Sequence, residues 1–449
     1  MKKILIANRG EIASRIIKTC KQLDIKTVAI YSDADQSMPY VKQADCAYRI
    51  GEPPVNRSYL MVNHIIEVAK KENVDAIHPG YGLLSENSEF ARKTIENGMA
   101  FIGPSSEVIE KMGDKVEARR TMKEAGVPVV PGTEVGVGTI KEAKQAAGEV
   151  GYPVMLKASG GGGGIGMIRC ESEQALVQSY ESTKNRAKAY FGNEEVFIEK
   201  CIENARHIEV QIFADQHGNI VHLFERNCSV QRRNQKVVEE SLSPHLSGKT
   251  KDAMYKAAIQ AAKAVNYTNA GTVEFIVDNN ENFYFLEMNT RLQVEHPVTE
   301  TITGLDLVKW QILVADGKHL PLSKQSEIIS KGHAIEFRVY AEDPKTFYPS
   351  PGKITSVNWG DSSSVRIDFG YEEGNEVTPF YDPMIAKCIV YGETRDESIK
   401  NAKSFFKELT IEGLKTNIPV LKQIVEEREF IEGTYSTKWL QEILAAKSN

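Results

Sequence analysis

The sequence predicts a chain of two fold classes, α/β at its start and α+β afterwards, and three observations support this. Apolar runs alternate with helically spaced segments over residues 1–113, which is typical of a doubly wound parallel sheet covered on both faces. Two prolines and two glycines between Gly126 and Gly132 then mark a connector. Beyond residue 200, strand-like segments predominate, so we expect a mixed, β-rich C-terminal domain.

The first predicted domain, residues 1–113, contains the parallel sheet. Short apolar runs predict strands at 4–7, 27–31 and 76–78, and helical spacing predicts helices at 11–23, 59–71 and 87–97. In the first helix the spacing of the apolar residues is helical, as seen at Ile12, Ile16 and Cys20. Strands separated by single helices favour parallel pairing, because each helix returns the chain across the sheet.

The middle of the chain divides into a connector, residues 114–132, and a small subdomain, residues 133–200. A charged helix is predicted at 115–125, inside the connector. The subdomain has its own pattern, with helices at 140–150 and 172–190, strands at 154–158 and 196–199, and a glycine run between them. Because a hinge rich in proline and glycine attaches it, we expect this subdomain to be a mobile lid.

Residues 201–449 form the predicted C-terminal domain. Its strands are expected at 207–213, 220–225, 272–288 and 334–341, and they alternate with helices such as one at 252–265. A chain of 449 residues exceeds what one hydrophobic core usually serves, which agrees with several domains.

Composition excludes several classes of protein. A hydrophobic content of 41% and a charged content of 26% are ordinary for a globular protein, and the net charge of −6 argues against a general nucleic-acid binder. Neither a membrane-spanning run nor a signal peptide is recognisable. Six cysteines are scattered without C-x-x-C spacing. We interpret them as reduced thiols of a cytoplasmic protein, with metal binding as the second interpretation.

A glycine run follows the strand predicted at 154–158 and extends to Gly166. Backbone N–H groups in such a loop can converge on phosphate oxygens, which bulky side chains would obstruct. Lys157, just before the loop, could place a cation against the same phosphates. The alternative is a flexible linker, although linkers usually mix glycine with serine and lack a flanking apolar strand. The run lacks the Gly-Lys-[Ser/Thr] ending of a P-loop.

An acidic hairpin is predicted between Gly271 and Asn289. If Asp278 pairs with Phe283, Glu274 lies directly across from Glu287, and Asn289 shares the face of Glu287. Facing carboxylates repel unless a cation lies between them, and oxygen-only ligands of this kind suit magnesium. The alternative is a solvated sheet face with incidental acids, which the apolar residues flanking each acid disfavour.

The chain continues from this hairpin into a charged segment, residues 290–297. Extended geometry would align Arg291, Gln293 and Glu295 on one side, close to the proposed metal. A guanidinium, an amide and a carboxylate beside a phosphate site are typical of an active site. As a surface row of salt bridges they would contribute little to stability.

Basic residues elsewhere predict binding of a further anion. Four cations lie between Arg226 and Lys236, in a chain that is acidic as a whole. A solvated loop is the ordinary interpretation of such a run. The alternative is an anion site beside the phosphates, with Lys236 and one or more of the arginines as candidates. Arg338 lies in alternation on the strand that starts near His333. If it faces a cleft, it could hold a charge or a developing oxyanion.

These blocks together resemble biotin carboxylase, a member of the ATP-grasp superfamily, along nearly the whole chain. The blocks that carry the resemblance are residues 6–13, 77–87, 111–115, the glycine loop, 206–211, 231–239, 287–297, 349–352 and 381–384. Each block is short, but so many in the same order make a chance match implausible. The resemblance implies an ATP-grasp fold with the N-terminal domain, lid and C-terminal domain already described.

The resemblance also implies a reaction. Bicarbonate would attack the γ-phosphate of ATP to give ADP and carboxyphosphate, whose breakdown to CO2 would carboxylate the N1′ of biotin on a carrier protein. Glu295 would deprotonate bicarbonate, and Arg338 would steady the biotin enolate. Closing the lid over ATP would exclude water from a labile intermediate.

The implied binding residues fall into three groups. Those around ATP are Lys115, Lys157, Gly162, Gly163, Gly164, Ile165, Gly166, Glu199, Lys200, Ile202, His207, Gln231, Asn234, Glu274 and Glu287. Those for two magnesium ions, with manganese as the alternative metal, are Glu274, Glu287 and Asn289. Those for bicarbonate and biotin are Lys236, Arg291, Gln293, Val294 and Arg338, of which Lys236, Arg291 and Arg338 join Glu295 as the expected catalytic residues.

Two positions depart from the family pattern. Ile165 stands where the family often has Arg or Lys, and Asn234 stands where it often has His. Asparagine can still donate and accept hydrogen bonds, for instance with a ribose hydroxyl, but it cannot titrate. We expect altered nucleotide affinity rather than lost activity, because neither change touches the metal ligands or the base.

The implied partners are a biotin carboxyl carrier protein and a carboxyltransferase, because the chain has neither a biotinylation motif nor a carboxyltransferase segment. We expect a free-standing subunit that forms a homodimer through its C-terminal domain. Acetyl-CoA carboxylase, in fatty acid synthesis, is the first choice of parent enzyme, with pyruvate and propionyl-CoA carboxylase as alternatives. The rival functions are another ATP-grasp carboxylate–amine ligase and a non-catalytic nucleotide-binding regulator.

Overall fold

A five-stranded parallel sheet opens the chain in the computed structural model, which describes residues 1–159 and 166–446. Its strands are β1 Lys3–Ile6, β2 Lys26–Ser32, β3 Cys46–Gly51, β4 Ala76–His78 and β5 Ala100–Phe101, in the order β3-β2-β1-β4-β5. Its helices are α1 Gly10–Gln22, α2 Pro39–Gln43, α3 Val62–Lys71, α4 Ser88–Glu96 and α5 Ser106–Gly113. The predicted doubly wound parallel sheet is therefore confirmed.

A small antiparallel sheet with its own core follows. Its elements, after the connector helix α6 Lys115–Glu124, are α7 Ile140–Val150, β6 Val154–Ala158, β7 Met167–Cys170, α8 Glu173–Phe191 and β8 Val196–Lys200. Strand β6 lies between β7 and β8, and a separate cluster of buried side chains runs from Val137 to Ile198. The predicted glycine loop falls on residues 160–165, outside the described residues.

The largest element is an eight-stranded antiparallel sheet in the order β13-β12-β9-β10-β11-β14-β19-β17. Its strands are β9 Arg206–Ala214, β10 Ile220–Arg232, β11 Gln235–Ser241, β12 Asn269–Val277, β13 Phe283–Asn289, β14 His333–Tyr340, β17 Val365–Phe369 and β19 Met384–Gly392. Four short strands form two further pairs, β15 Gly352–Lys353 with β18 Glu376–Val377, and β16 Ser356–Asn358 with β20 Thr410–Glu412.

Helices cover this sheet and join it to the first domain. They are α9 Gly248–Ala264, α10 His296–Thr303, α11 Leu307–Ala315, α12 Arg395–Glu408, α13 Ile418–Ile424, α14 Arg428–Glu432 and α15 Trp439–Ala446. One hydrophobic cluster includes both Ile4 of β1 and Phe337 of β14, so the first domain packs directly on the last. Among the described residues, none of the helices is long and apolar enough to cross a membrane.

Several predicted elements need correction. The basic run from Arg226 is not a loop, because β10 continues to Arg232 and Arg226 is fully buried. Helix α9 begins at Gly248 rather than residue 252, since the Ser247 hydroxyl accepts a hydrogen bond from the backbone N–H of Thr250. Strands β3 and β5 were not predicted, because Arg49 interrupts the apolar residues of β3 and β5 is only two residues long.

Candidate functional site

The acidic hairpin places Glu274 opposite Glu287, although by a different register from the one predicted. The backbone N–H of Asp278 donates to Asn282 at 2.9 Å, and Val277, not Asp278, pairs with Phe283. A bulge at position 286 then shifts the pairing by one residue, so that Glu274 still faces Glu287. The error in the predicted loop is cancelled by a bulge that the sequence did not reveal.

The bulge also decides which way the acids point. Phe283 and Phe285 belong to the core under β13, and so does Met288, although strict alternation would place Met288 on the opposite face. The extra residue reverses the alternation after Phe285. As a result Glu287 and Asn289 share the face opposite Met288, the face that carries Glu274 on β12.

Lys236 is the centre of the site. Its ammonium nitrogen lies 2.6 Å from Glu209 Oε2, 2.9 Å from Glu274 Oε1 and 2.6 Å from Glu295 Oε1. Burial lowers the pKa of Lys236, but the three carboxylates outweigh burial and raise that pKa well above its usual value. The turn that presents Lys236 on β11 has Arg233 and Asn234 at φ +51° and +65°, as a tight hairpin requires. One partly buried cation therefore joins strands β9 and β12 to the start of α10.

Glu295 lies between two cations. Its Oε1 contacts Lys236, and its Oε2 accepts from Arg338 Nη2 at 3.0 Å. Burial raises the pKa of Glu295, but Lys236 and Arg338 outweigh burial and hold that pKa well below its usual range. Glu295 is therefore ionised at neutral pH, as a group that accepts a proton must be. Arg338 lies on β14 and faces a cavity rather than solvent, as one of the two sequence interpretations required.

Two further carboxylates lie behind Arg338. Glu239 on β11 and Glu336 on β14 pair across neighbouring strands, and both are fully buried. Burial raises the pKa of Glu239 to about 7, although Arg338, 2.5 Å from its Oε1, opposes the rise. Burial likewise raises the pKa of Glu336 well above its usual value. The acids around Arg338 therefore differ, because burial disfavours the charged forms of Glu239 and Glu336 whereas two cations favour the charged form of Glu295.

Arg226 organises the cluster from beneath. The sequence offered it only as one of several arginines that could contact an anion, so this role was missed. Its five guanidinium donors all have partners, which are Glu209 Oε1 at 2.5 Å, Gln211 Oε1, Thr299 Oγ1, Thr272 Oγ1 and Gln293 Oε1. The bond to Gln293 fixes that amide so that its Nε2 donates to Glu274 Oε1 at 2.6 Å.

Glu209 was also missed, although the sequence carries a signal for it. His207, Glu209 and Gln211 alternate with apolar residues along β9, so their side chains share one face. His207 Nε2 lies 2.7 Å from Glu274 Oε2, and Glu209 contacts Lys236. A polar residue at every second position of an otherwise apolar strand therefore marked this wall of the site.

A cavity of about 240 Å³ opens between the lid sheet and the hairpin. It is lined by Lys115, Lys157, Glu199, Lys200, Ile202, His207, Gln231, Asn234, Glu274 and Glu287, among others. Lys157 forms an ion pair with Glu199, and Lys115 lies 3.4 Å from Glu287. Every residue that the resemblance placed around ATP lines this cavity, apart from the glycine loop. Gly162, Gly163, Gly164 and Ile165 lie outside the described residues, and Gly166 is described with φ +80°.

A second cavity, of about 450 Å³, lies between the first domain and the large sheet. Its lining includes Glu11, Tyr81, Arg291, Val294 and Arg338. Arg291 donates to Glu86 at 2.9 Å and to Asn289 Oδ1 at 2.9 Å. The two cavities therefore lie on either side of the cluster around Lys236 and Glu295.

The segment 290–295 is not extended, contrary to the prediction. Glu295 precedes the first residue of α10, with φ −81° and ψ +10°, and Arg291 turns towards the second cavity. Gln293 and Glu295 nevertheless converge on Glu274 and Lys236 through side-chain contacts. The turn separates Arg291 from the other two residues, which a straight strand would have aligned.

The donor set at the hairpin fits magnesium. Glu274, Glu287 and Asn289 offer two carboxylates and an amide oxygen on one face. They lie next to a cavity that is also lined by lysine side chains. Glu274 is ionised, because Lys236 and His207 outweigh the effect of burial and hold its pKa well below the usual value. Asn289 Nδ2 donates to Glu274 Oε1 at 2.7 Å, so its Oδ1 is directed to the other side, where Arg291 contacts it.

Three family models match the chain in order. They are the biotin carboxylase N-terminal domain at residues 1–109, the ATP-binding domain of the carbamoyl-phosphate synthase L chain at 114–323, and the biotin carboxylase C-terminal domain at 336–442. The chain belongs to the biotin carboxylase family. The identification from sequence is thereby confirmed, as is the class of enzyme, an ATP-dependent ligase.

Individual relatives of this family cover the chain almost completely. Biotin carboxylase 2 of Bacillus subtilis is 57% identical over 442 residues, 98% of this chain and 99% of the relative. The pyruvate carboxylase subunit of Methanothermobacter thermautotrophicus is 49% identical over 98% of this chain and 89% of its own length. The biotin carboxylase domain dimer of Hydrogenobacter thermophilus 2-oxoglutarate carboxylase, solved with MgADP, ADP and bicarbonate, is 47% identical. It has a TM-score of 0.95 over 98% of this chain and 97% of the solved chain.

Proposed function

We propose that this biotin carboxylase binds ATP in the cavity between the lid and the hairpin. Lys115 and Lys157 would contact the phosphates, and the backbone of residues 199–202 would contact adenine. Both lysines now contact carboxylates, Glu287 and Glu199, so each has an anion partner that a phosphate could replace. Glu274, Glu287 and Asn289 would hold magnesium, which supplies positive charge to the phosphate oxygens when it is bound.

The lid is proposed to close over that nucleotide. Residues 133–200 have a core of their own, so the subdomain can move as a unit on the connector 114–132. Closure would exclude water from the phosphate intermediate. The proposed domain division is therefore 1–113, 114–132, 133–200 and 201–449.

Bicarbonate is proposed to bind between the two cavities. Lys236, Arg291, Gln293 and Val294 would hold it, and Glu295 would accept its proton. Lys236 and Arg338 keep Glu295 ionised. An anion that binds to the same two cations would weaken their attraction to Glu295. The pKa of Glu295 would then rise, which makes Glu295 a stronger base. This single arrangement, a buried carboxylate bridging two cations between two cavities, carries the proposal.

Biotin is proposed to enter the second cavity. Arg338 lines that cavity and contacts Glu295, so one guanidinium faces both the acid and the biotin. It would stabilise the negative charge that develops on the ureido oxygen of biotin when N1′ loses its proton. Biotin would reach CO2, released from carboxyphosphate, across the cluster around Glu295.

An ATPase assay tests the proposal against the alternative, an ATP-grasp carboxylate–amine ligase. We expect ATP cleavage by the purified chain to require bicarbonate and to accelerate when free biotin is added. Carboxybiotin formation from labelled bicarbonate, followed by chromatography, checks the product. Cleavage that is indifferent to biotin but responds to an amine would overturn the proposal.

The parent enzyme is proposed to deliver the carboxyl group to acetyl-CoA, in fatty acid synthesis, after a biotin carrier protein and a carboxyltransferase join the chain. The pyruvate carboxylase relative, 49% identical, supports pyruvate as the alternative, and propionyl-CoA remains a third. Capture of the biotinylated carrier from the native cell, followed by identification of its carboxyltransferase, separates the three. A homodimer is supported by the solved domain dimer and is tested by light scattering.

A further inference from the structure

Three sequence blocks that mark the family have no role so far, and they meet at the second cavity. The side chain of Asn8 donates to the backbone oxygens of Pro79 and Tyr81, at 2.7 and 2.8 Å. The Arg9 guanidinium lies 4.0 Å over the ring of Tyr381. Residues from the start of α1, the loop after β4 and the segment before β19 are therefore joined into one wall.

Lys387 lies beneath this wall on β19 and is fully buried. Its ammonium nitrogen donates to the backbone oxygen of Val294 at 3.0 Å and contacts Glu11 Oε1 at 3.0 Å. The hydroxyl of Tyr81 donates to the same oxygen of Glu11. Two cavity-lining groups, the Tyr81 ring and the Val294 backbone, are therefore held through one buried ion pair.

The charge of Lys387 is maintained by its surroundings. Burial lowers the pKa of Lys387, but Glu11 and Glu336 outweigh burial and raise that pKa above its usual value. Lys387 also pairs across the sheet with Arg338, so two cations are neighbours on adjacent strands. Such a pair is unfavourable unless acids lie beside it, and Glu11 supplies one of them.

We propose that Lys387 and Glu11 are a positioning pair, which fixes the backbone at Val294 and the ring of Tyr81 relative to each other. Lys387 lines neither cavity, and the Glu11 oxygen that it contacts also accepts from the Tyr81 hydroxyl. Lys387 acts through the backbone between Gln293 and Glu295, and Glu11 acts through the Tyr81 hydroxyl. The pair thus sets the distance between the bicarbonate site and the biotin cavity. This inference rests on the proposed function of both sites.

The test uses three variants of the full chain, Lys387→Met, Glu11→Met and the double variant, in the bicarbonate-dependent ATPase assay with and without free biotin. The single variants should lose on the order of 10- to 100-fold in kcat/KM for biotin, because displacement of reacting groups by about 1 Å has effects of that size. KM for ATP should stay within about twofold, since the nucleotide cavity shares no residue with the pair.

The double variant distinguishes an effect on the position of Val294 and Tyr81 from the effect of leaving one buried charge without its partner. It removes both buried charges, so its melting temperature should return towards that of the parent. Its kcat/KM for biotin should remain as low as in the single variants, because the contacts to Val294 and Tyr81 are still absent. Recovery of biotin turnover together with stability would overturn the proposal, since the pair would then serve folding alone.

Arg395→Met is the matched control. Arg395 also pairs with a buried acid of the large sheet, Glu240, at 2.7 Å, but it lies near the carbonyl groups of Phe430 and Ile431, outside both cavities. It should lower the melting temperature while leaving kcat/KM for biotin unchanged. Equal losses in the control and the single variants would contradict a positioning role. A parent enzyme that biotin does not stimulate would instead contradict the proposed function.

Discussion

The two cavities beside Glu295 are built from different parts of the chain. The nucleotide cavity draws almost all its lining from residues 115–287, within the stretch that matches the ATP-binding domain. The second cavity draws on segments as distant as residues 8–12, 81–83, 291–294 and 380–384. One cavity is local to a domain that includes the lid, and the other exists only when the first and last domains pack together.

One ion pair from each region shows a difference in burial, although Lys157 and Glu199 in the first cavity are largely buried as well. In the nucleotide cavity, the side chains of Lys115 and Glu287 are 23% and 33% exposed, so their pairing is weak and easily exchanged. Beneath the second cavity, those of Lys387 and Glu11 are 0% and 5% exposed. A buried pair that loses one partner leaves an uncompensated charge, at a penalty of about 3–5 kcal/mol. The Lys115–Glu287 pair is therefore readily exchanged for a contact with a ligand, whereas the Lys387–Glu11 pair is a fixed part of the folded protein.

Glu295→Gln should have the largest effect on activity. It tests whether Glu295 acts on the acid and not on the nucleotide. We expect biotin-dependent turnover to fall on the order of 10²- to 10⁴-fold, because the proton acceptor is removed. ATP affinity, measured by calorimetry, should not change. Glu342→Gln, which removes the charge of a buried glutamate paired with Arg232, is the control and should retain activity. Lost ATP binding in Glu295→Gln would assign Glu295 to the metal site instead.

Lys157→Met tests whether the nucleotide cavity is independent. KM for ATP should rise on the order of tenfold, since one charge-assisted contact to phosphate is lost, and KM for bicarbonate should not change. The comparison is with Lys144→Met, which removes a lid lysine paired with Glu173 on the surface. A rise in both constants for Lys157→Met would show that the two regions are coupled.

Acid should lower the stability of the folded chain through His78, which ends β4 just before the loop that lines the second cavity. This histidine is fully buried on β4, its Nδ1 accepts from the backbone N–H of Gly80 at 3.0 Å, and burial lowers its pKa to about 3. Between about pH 6.5 and 3 the unfolded chain therefore binds a proton that the folded chain does not. The free energy of unfolding consequently decreases as the pH is lowered through this range.

The measurement is the free energy of unfolding against pH in urea. His78→Asn, which keeps an acceptor near Nδ1, should reduce the slope by up to about 1.4 kcal/mol per pH unit. Gln216→Asn, at an exposed side chain that does not titrate, should leave the slope unchanged. An unaltered slope in His78→Asn would mean that other groups control the acid response.

Asn234→His should have the smallest effect. It tests whether a residue that lines the nucleotide cavity affects ATP alone or bicarbonate as well. It introduces the residue that the family often carries, at a turn with φ +65° where asparagine is well tolerated. We expect KM for ATP to change by less than about threefold, the scale of one hydrogen bond. KM for bicarbonate should be unaltered, and a larger change there would place Asn234 beside the acid.

The sequence predicted the strands and helices and the identity of the site residues better than it predicted which of those residues contact one another. Residues such as Glu274, Lys236 and Glu295 could be named, because motif and chemistry coincide there. The three-way contact of Lys236 could not, since it depends on three strands and a helix that meet only in the fold. Arg226 belongs to a run of cations for which the sequence suggested a solvated loop or an anion site. Instead the carboxylate of Glu209 compensates its charge, and four neutral acceptors satisfy its remaining donors.

The bulge at position 286 has an evolutionary consequence. Removal of that one codon would place Glu287 directly after Phe285, so strict alternation would keep Glu287 and Asn289 on the face of Glu274. The bulge therefore adds a residue to β13 without turning the proposed metal ligands towards the core. A family member that lacks one residue at this position would keep both side chains on the same face, and a gap there in a comparison of sequences would not indicate a lost metal site.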